Sequence, residues 1–237
     1  MKLSTNYGNK LIEFEVEYRD RKTLAIQIEP MDKIFVISPN GLPEEVIRDK
    51  VKSKGKWILK KLLYFKDIGY LPYNREFVNG ETFMYLGRNY SLEIVKYSNI
   101  KRPKVYISDG KFYLETPTKE QTIMRKAMKR WYRKEAEKII EKRVEFYIPK
   151  VNLIPNKIKI KEQKKRWGSC SYKGNIYFNW RAIMAPSNII DYIVVHELCH
   201  LDYRDHSKKF WQKVESILPD FKDGRKWLKK YGVRMDL

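Results

Sequence analysis

The run Ile189-Ile190-Asp191-Tyr192-Ile193-Val194-Val195-His196-Glu197-Leu198-Cys199-His200 decides how the rest of the chain is read. A strongly apolar segment leads without a break into a His-Glu-x-x-His pattern, in a helix-period setting. Histidines four apart lie one turn apart on the same helix face, so both imidazoles can reach one ion. Glu197, next to the first histidine, can project towards the open side of that ion. Neutral imidazole suits Zn2+, which acidifies a water enough for it to act near neutral pH. A carboxylate beside that water can take its proton and later deliver it to a leaving group. Glu197 is therefore the candidate general base, with His196 and His200 as candidate zinc ligands.

His206 follows six positions after His200. The chain holds three histidines, and all of them fall between positions 196 and 206. The spacing 196–200–206 matches the three-histidine arrangement of metzincins, which makes His206 the candidate third ligand. Those enzymes place a glycine where this chain has Tyr203. The backbone then has to leave the helix by another route, with Arg204 or Asp205 expected in a strained conformation. Glu215, on the next helix, is the competing candidate and would give a two-histidine, one-carboxylate site. Cys199 lies roughly 100–200° around the helix from either histidine, so its reading is core packing.

Working outward, three strands are expected before this helix, at Lys157–Gln163, Lys165–Ser171 and Asn175–Trp180, with a turn at Tyr172-Lys173-Gly174. Pro186 opens the histidine helix, and further helices are expected near Lys208–Leu218 and Arg225–Tyr231. Upstream, Thr116-Pro117-Thr118 starts a long helix to about Tyr147. Its apolar stripe is read as Ile123, Ala127, Trp131, Ile139, Ile140 and Val144, with Pro149 and Pro155 bracketing a loop. The first forty residues alternate as strands, Phe14, Val16 and Tyr18 against Glu13, Glu15 and Glu17. This predicts a small antiparallel sheet with one wet face, including a turn over residues 29–33. Pro43, followed by Glu44 and Glu45, begins a basic helix that runs to about Asp67. A second strand-rich block spans Phe77–Glu115, with Asn79-Gly80 and Asp109-Gly110 as hairpin-type turns. No internal repeat is visible. The expected class is α+β, divided into a strand-rich part over residues 1–117 and a second domain over 118–237.

Composition narrows the setting. With 43% hydrophobic and 14% aromatic residues, the 237-residue chain must bury a sizeable core, which excludes general disorder. No stretch approaches the roughly 20 apolar residues of a membrane span, and residues 1–8 lack the apolar region of a signal peptide. Two cysteines, Cys170 and Cys199, do not make a disulfide framework. The expectation is a soluble, cytoplasmic protein of open oligomeric state. A net charge of +21 fits either a well-solvated lysine-rich surface or a polyanionic partner, nucleic acid or a phosphorylated small molecule.

Further segments carry a family resemblance: residues 166–171 (Arg-Trp-Gly-Ser-Cys-Ser), 174–181, Ala185-Pro186, 190–201, His206-Ser207 and Phe210-Trp211. Together they closely resemble the YgjP-like metal-dependent hydrolases, zincins related to the WLM and SprT-like metallopeptidases. Arg21-Lys22-Thr23-Leu24 and Ile37-Ser38-Pro39 extend the likeness towards the N-terminus. The resemblance implies the same ligands and the same base, Glu197. It also implies a zincin-like fold for the second domain, with a strand of the sheet bordering the cleft beside the active-site helix. Residues 166–169 are then candidates for lining the cleft, with Arg166 the candidate substrate contact, while Trp167 and Gly168 read equally as a core side chain and a turn glycine. Three functions stay open: a zinc metallopeptidase, a nucleotide pyrophosphohydrolase using the same site, and a nucleic-acid-associated protein with a protease-like or structural zinc site.

Overall fold

A computed structural model describes residues 1–29, 32–67, 75–163 and 166–237. Two compact units divide it, Met1–Pro72 and Tyr73–Leu237. The boundary expected at 117/118 therefore falls inside the second unit. The physical reason is that the second strand block packs under the long helix that follows it and shares its core.

The first unit begins with strands β1 (Lys2–Tyr7), β2 (Lys10–Arg19), β3 (Ala25–Glu29) and β4 (Lys33–Pro39). They lie in the order β1-β2-β4-β3. The sheet is mixed rather than antiparallel, because β2 and β4 run parallel. Ile12, Phe14 and Val16 face its core as alternation requires, whereas Tyr18 is exposed near the strand end. Pro30 and Met31 of the expected 29–33 turn lie outside the described residues.

The basic helix predicted to run unbroken is two helices, α1 (Glu44–Ser53) and α2 (Gly55–Asp67). The break sits at Lys54, and Gly55, which opens α2, rests against the Tyr7 ring; a Cβ there would lie 2.2 Å from Tyr7 Cδ2. Ile47, Val51 and Ile58 cover the sheet, while Val46 and Leu63 remain exposed.

In the second unit, β5 (Thr82–Tyr85), β6 (Arg88–Lys96), β7 (Lys104–Ser108) and β8 (Lys111–Thr116) repeat the first arrangement as β5-β6-β8-β7, again with a parallel central pair. The chain thus carries a repeat of topology without a repeat of sequence. Asp109 and Gly110 both have positive φ in the β7–β8 turn, as a type I′ hairpin requires.

Helix α3 (Gln121–Val151) runs through Pro149 and ends on Asn152 in the left-handed conformation. Its buried stripe is Met124, Met128, Tyr132, Ala136, Ile140 and Val144, joined by Ala127, Tyr147 and Val151. Ile123, Trp131 and Ile139 of the expected stripe sit at its margins, half-buried. Strands β9 (Lys157–Lys161), β10 (Gly168–Cys170) and β11 (Asn175–Asn179) form a third sheet, ordered β10-β11-β9. Lys165, expected to open the middle strand, lies outside the described residues. A short 3-10 helix, Trp180–Met184, leads into α4 (Ser187–Cys199), followed by α5 (Lys208–Ile217) and α6 (Phe221–Tyr231). Ile190, Val194 and Leu198 of α4 are buried, and the Asp191 carboxylate receives both Arg143 Nε and Nη2 at 2.5 Å, tying α4 to α3. The result is the α+β architecture that the sequence predicted.

Candidate active site

Helix α4 delivers His196 and Glu197 into a cleft of about 400 Å³, walled on one side by β10. His200 caps the helix in right-handed conformation and its ring turns to the same point as His196. The Nε2 atoms of His196 and His200 lie 3.2 Å apart, and Nε2 of His206 lies 3.1 Å from that of His196. A tetrahedral zinc with Zn–N bonds of about 2.0–2.1 Å needs nitrogen pairs about 3.4 Å apart, so the three rings converge at ligand spacing. Among the described residues this is the one histidine, cysteine or carboxylate group gathered tightly enough to hold a metal ion.

The surroundings fix each ring. His200 Nδ1 lies 2.8 Å from the Tyr203 carbonyl oxygen. A carbonyl only accepts, so Nδ1 carries the proton and Nε2 presents its lone pair. Tyr203, where a glycine was expected from the metzincin pattern, thus orients a candidate ligand through its backbone. The strain expected at Arg204 or Asp205 is absent: neither has positive φ. Asp205 Oδ1 instead accepts from Ser207 N, and Ser207 caps α5 by accepting from Phe210 N. Phe210 then stacks on His200, with ring centroids 4.5 Å apart, and Trp211 stacks on His206 at 5.6 Å.

Electrostatics favour the neutral form of His196 and His200. Burial, then the neighbouring His200, His206 and Arg225, push the His196 imidazole down to about 3, and burial lowers His200 as well. Burial also pushes the Glu197 carboxyl up to about 8, opposed by the Arg166 guanidinium. Glu197 Oε2 and His196 Nδ1 are buried without a hydrogen-bond partner. An orphaned buried carboxylate oxygen such as that of Glu197 is rare and calls for an occupant in the cleft it lines. A divalent cation at the three Nε2 atoms would offset the cost of ionising Glu197 beside it, so the donor set fits zinc.

Arg166 is exposed and lines the cleft. Trp167 also lines the cleft and lies against Gly232, where a Cβ would come 2.8 Å from its ring. Glu215, the competing third ligand, is on α5, exposed and hydrogen-bonded by Lys222 Nζ at 3.0 Å, and does not join the cluster. Cys199 is fully buried, as its helix position predicted, and both cysteines are free thiols.

Two residues have roles that the sequence did not show, although Gly168 was among the cleft-lining candidates. Gly168 is more than a turn residue: a Cβ on it would lie 2.5 Å from Glu197 Cγ, 2.6 Å from Cδ and 2.7 Å from Oε1. Its hydrogen is what leaves room for the Glu197 side chain. Asn179, only 3% exposed, pins the approach to β10 by donating Nδ2 to the Gln163 and Arg166 carbonyl oxygens at 2.7 and 3.0 Å. A Trp-Gly-Ser step into a short strand was the signal for the first; nothing local marked the second.

A family profile described as YgjP-like, metallopeptidase domain, matches residues 22–231. Two solved structures align with part of the chain. The metallopeptidase zymogen of Pyrococcus abyssi abylysin is 26% identical, covering 38% of this chain and 93% of its own, with a TM-score of 0.35. That of Methanocaldococcus jannaschii jannalysin is 20% identical, covering 38% and 94%, also with a TM-score of 0.35. No match was found among curated proteins.

Proposed function

The chain belongs to the YgjP-like metallopeptidase family, and we propose that it is a zinc-dependent peptidase that uses Glu197 as general base. The observation that carries this reading is the convergence of three histidine Nε2 atoms beside a buried, unpartnered Glu197 carboxylate oxygen. His196, His200 and His206 would hold Zn2+, which when bound supplies Lewis acidity to a water and to the scissile carbonyl. Glu197 takes the proton from the attacking water at its carboxylate and returns it to the leaving amine nitrogen. Gly168 keeps that carboxylate in place by leaving it space, and the His200–Tyr203 bond holds one ligand ring in the tautomer a metal needs.

Substrate geometry follows from β10. This strand pairs with β11 on one side and has no strand partner on the other among the described residues, and it walls the cleft. An extended peptide can add to such an edge through main-chain hydrogen bonds. The lining favours peptide over phosphate. Among the described residues it holds two arginines and no lysine, and Arg204 is already committed, with Nη1 donating to Ser171 O at 2.8 Å and to Cys170 Sγ at 3.2 Å. Arg166 remains as the charged contact for substrate.

Incubating zinc-loaded protein with an unfolded-protein substrate, and sizing the products by mass spectrometry, tests this. Cleavage lost on chelation and restored by zinc is expected. Zinc-dependent phosphate or pyrophosphate release from nucleoside triphosphates without peptide cleavage would overturn it.

A further inference from the structure

The cleft beside Glu197 is not uniform along its length. On α4, Tyr192 and Ile193 sit one turn before His196 and Glu197, and His200 sits one turn after His196. On β10, Gly168 meets Glu197, while Cys170 at the far end of the strand lies 3.2 Å from Arg204 Nη1. Strand and helix therefore pass Glu197 in the same direction, and Trp167, just before β10, falls at the Ile193 end.

Helix α6 supplies the third wall at that end. Gly224 rests on the Tyr192 ring, where a Cβ would lie 2.9 Å from Cγ. Leu228, four residues on, lines the cleft. Gly232, four further on and still right-handed, donates its N–H to Leu228 O and meets the Trp167 ring, 2.8 Å from the position of a Cβ. Residues four apart share a helix face, so one stripe of α6 seats Tyr192, opens onto the cleft at Leu228 and holds Trp167. Tyr192 and Ile193 are buried, whereas Trp167 and Leu228 are half-buried and keep apolar surface turned to the cleft. The opposite end, with Cys170 and Arg204, is polar.

We propose that the end of the cleft formed by Trp167, Ile193 and Leu228 is a side-chain subsite that directs cleavage to bonds beside a bulky apolar residue, of leucine, methionine or phenylalanine size. This rests on the peptidase reading and adds the substrate class. One helix turn is about 5.4 Å, and successive residues of an extended chain are about 3.3 Å apart. A side chain held one turn from Glu197 therefore belongs to a residue within about two of the scissile bond. A carboxylate or an ammonium placed there would lose water and gain no hydrogen bond from Ile193 or Leu228. The Trp167 ring offers a flat apolar wall, and Gly232 behind it lets the ring sit back from the cleft.

The test gives the zinc-loaded full chain two alanine–serine peptides that differ only in a central leucine or aspartate, with cleavage sites mapped by mass spectrometry. Cuts within about two residues of the leucine are expected, with kcat/KM at least about 10-fold above that for the aspartate peptide. Leu228→Lys should reduce that ratio about 10-fold or more with bound zinc unchanged. Gly232→Ala, which displaces Trp167 from outside the cleft, should reduce it as well. A second readout needs no turnover. The leucine peptide titrated into zinc-loaded Glu197→Gln should change tryptophan fluorescence more than the aspartate peptide does. Trp167→Phe should remove that change, which places the ligand at this one of the six tryptophans. Binding with this preference but without cleavage would refute the peptidase reading and leave the subsite standing. Equal kcat/KM for the two peptides, an unchanged ratio in folded Leu228→Lys, or a fluorescence change that survives Trp167→Phe would each overturn the subsite. Neither binding nor cleavage of either peptide would overturn both.

Discussion

Replacing Gly168 with alanine perturbs the candidate site without touching a ligand. Gly168 does not adopt positive φ, so alanine is allowed by the backbone and the cost is steric alone. The new methyl would sit 2.5 Å from Glu197 Cγ, against about 3.5 Å for a comfortable carbon contact. Glu197 is 5% exposed and cannot swing into solvent, so its carboxylate shifts by about 1 Å. A misplacement of that size costs on the order of 100-fold in rate, or about 2.7 kcal/mol of barrier. Overpacking should lower stability by about 1–3 kcal/mol. Zinc content should not change, because the three histidines approach the ion from elsewhere. The assay is kcat/KM on an unfolded-protein substrate, with zinc measured on the same sample and melting followed by circular dichroism. In a Glu197→Ala background the stability cost should shrink, since the clash is removed. Wild-type kcat/KM in a folded, zinc-loaded Gly168→Ala protein would refute the claim that this glycine sets the position of Glu197.

Other outcomes follow from the same geometry. His206→Ala should weaken zinc retention in equilibrium dialysis by 10-fold or more, while Glu215→Ala leaves it unchanged; the reverse would assign the third ligand to Glu215. Asp191→Ala should destabilise the fold by about 1–3 kcal/mol in urea unfolding, because it strands Arg143 between α3 and α4. Glu162, held below the usual carboxylate range first by its hydrogen bond from Lys129 and also by Arg181, contributes stability above a pH of about 4.5 and loses it as pH falls through the lowered value. Its carboxylate is partly exposed, so Glu162→Gln should cost under about 1 kcal/mol at pH 7 and almost nothing in strong acid, by melts at both pH values.

The parts of the molecule that were legible are those in which one element's chemistry is written locally. Helix α4 and its histidines could be read because ligand spacing and helix period coincide, and Asp109-Gly110 because both residues tolerate positive φ. The turn between β5 and β6 could not. Leu86 and Gly87 adopt φ of 49° and 77°, and leucine is a poor turn former. Tertiary contacts impose it: Leu86 N donates to Ile183 O at 2.8 Å, Gly87 N to Met184 O at 3.0 Å, and a Cβ on Gly87 would strike Pro186. Ala127, Ile140 and Val144 of the α3 stripe are buried as expected, and the rest of the stripe was missed for a related reason. Its core residues recur every four positions from Met124 to Val144, and two methionines and a tyrosine stand where aliphatic residues were sought. The division at 117/118 assumed that strands belong with strands, yet β5–β8 bury their apolar face against α3. Gly168 read as a cleft-lining candidate, but its packing against Glu197, like the hydrogen bonds of Asn179, depends on partners elsewhere in the chain.

The central claim is a metal-dependent peptidase whose base is Glu197. Its most direct test compares zinc-loaded wild type with zinc-loaded Glu197→Gln on an unfolded-protein substrate, quantifying both bound zinc and new peptide termini. Equal zinc in the two proteins, cleavage by wild type, and a fall of at least about 100-fold in the variant are expected. Equal cleavage by both proteins at equal zinc would contradict it.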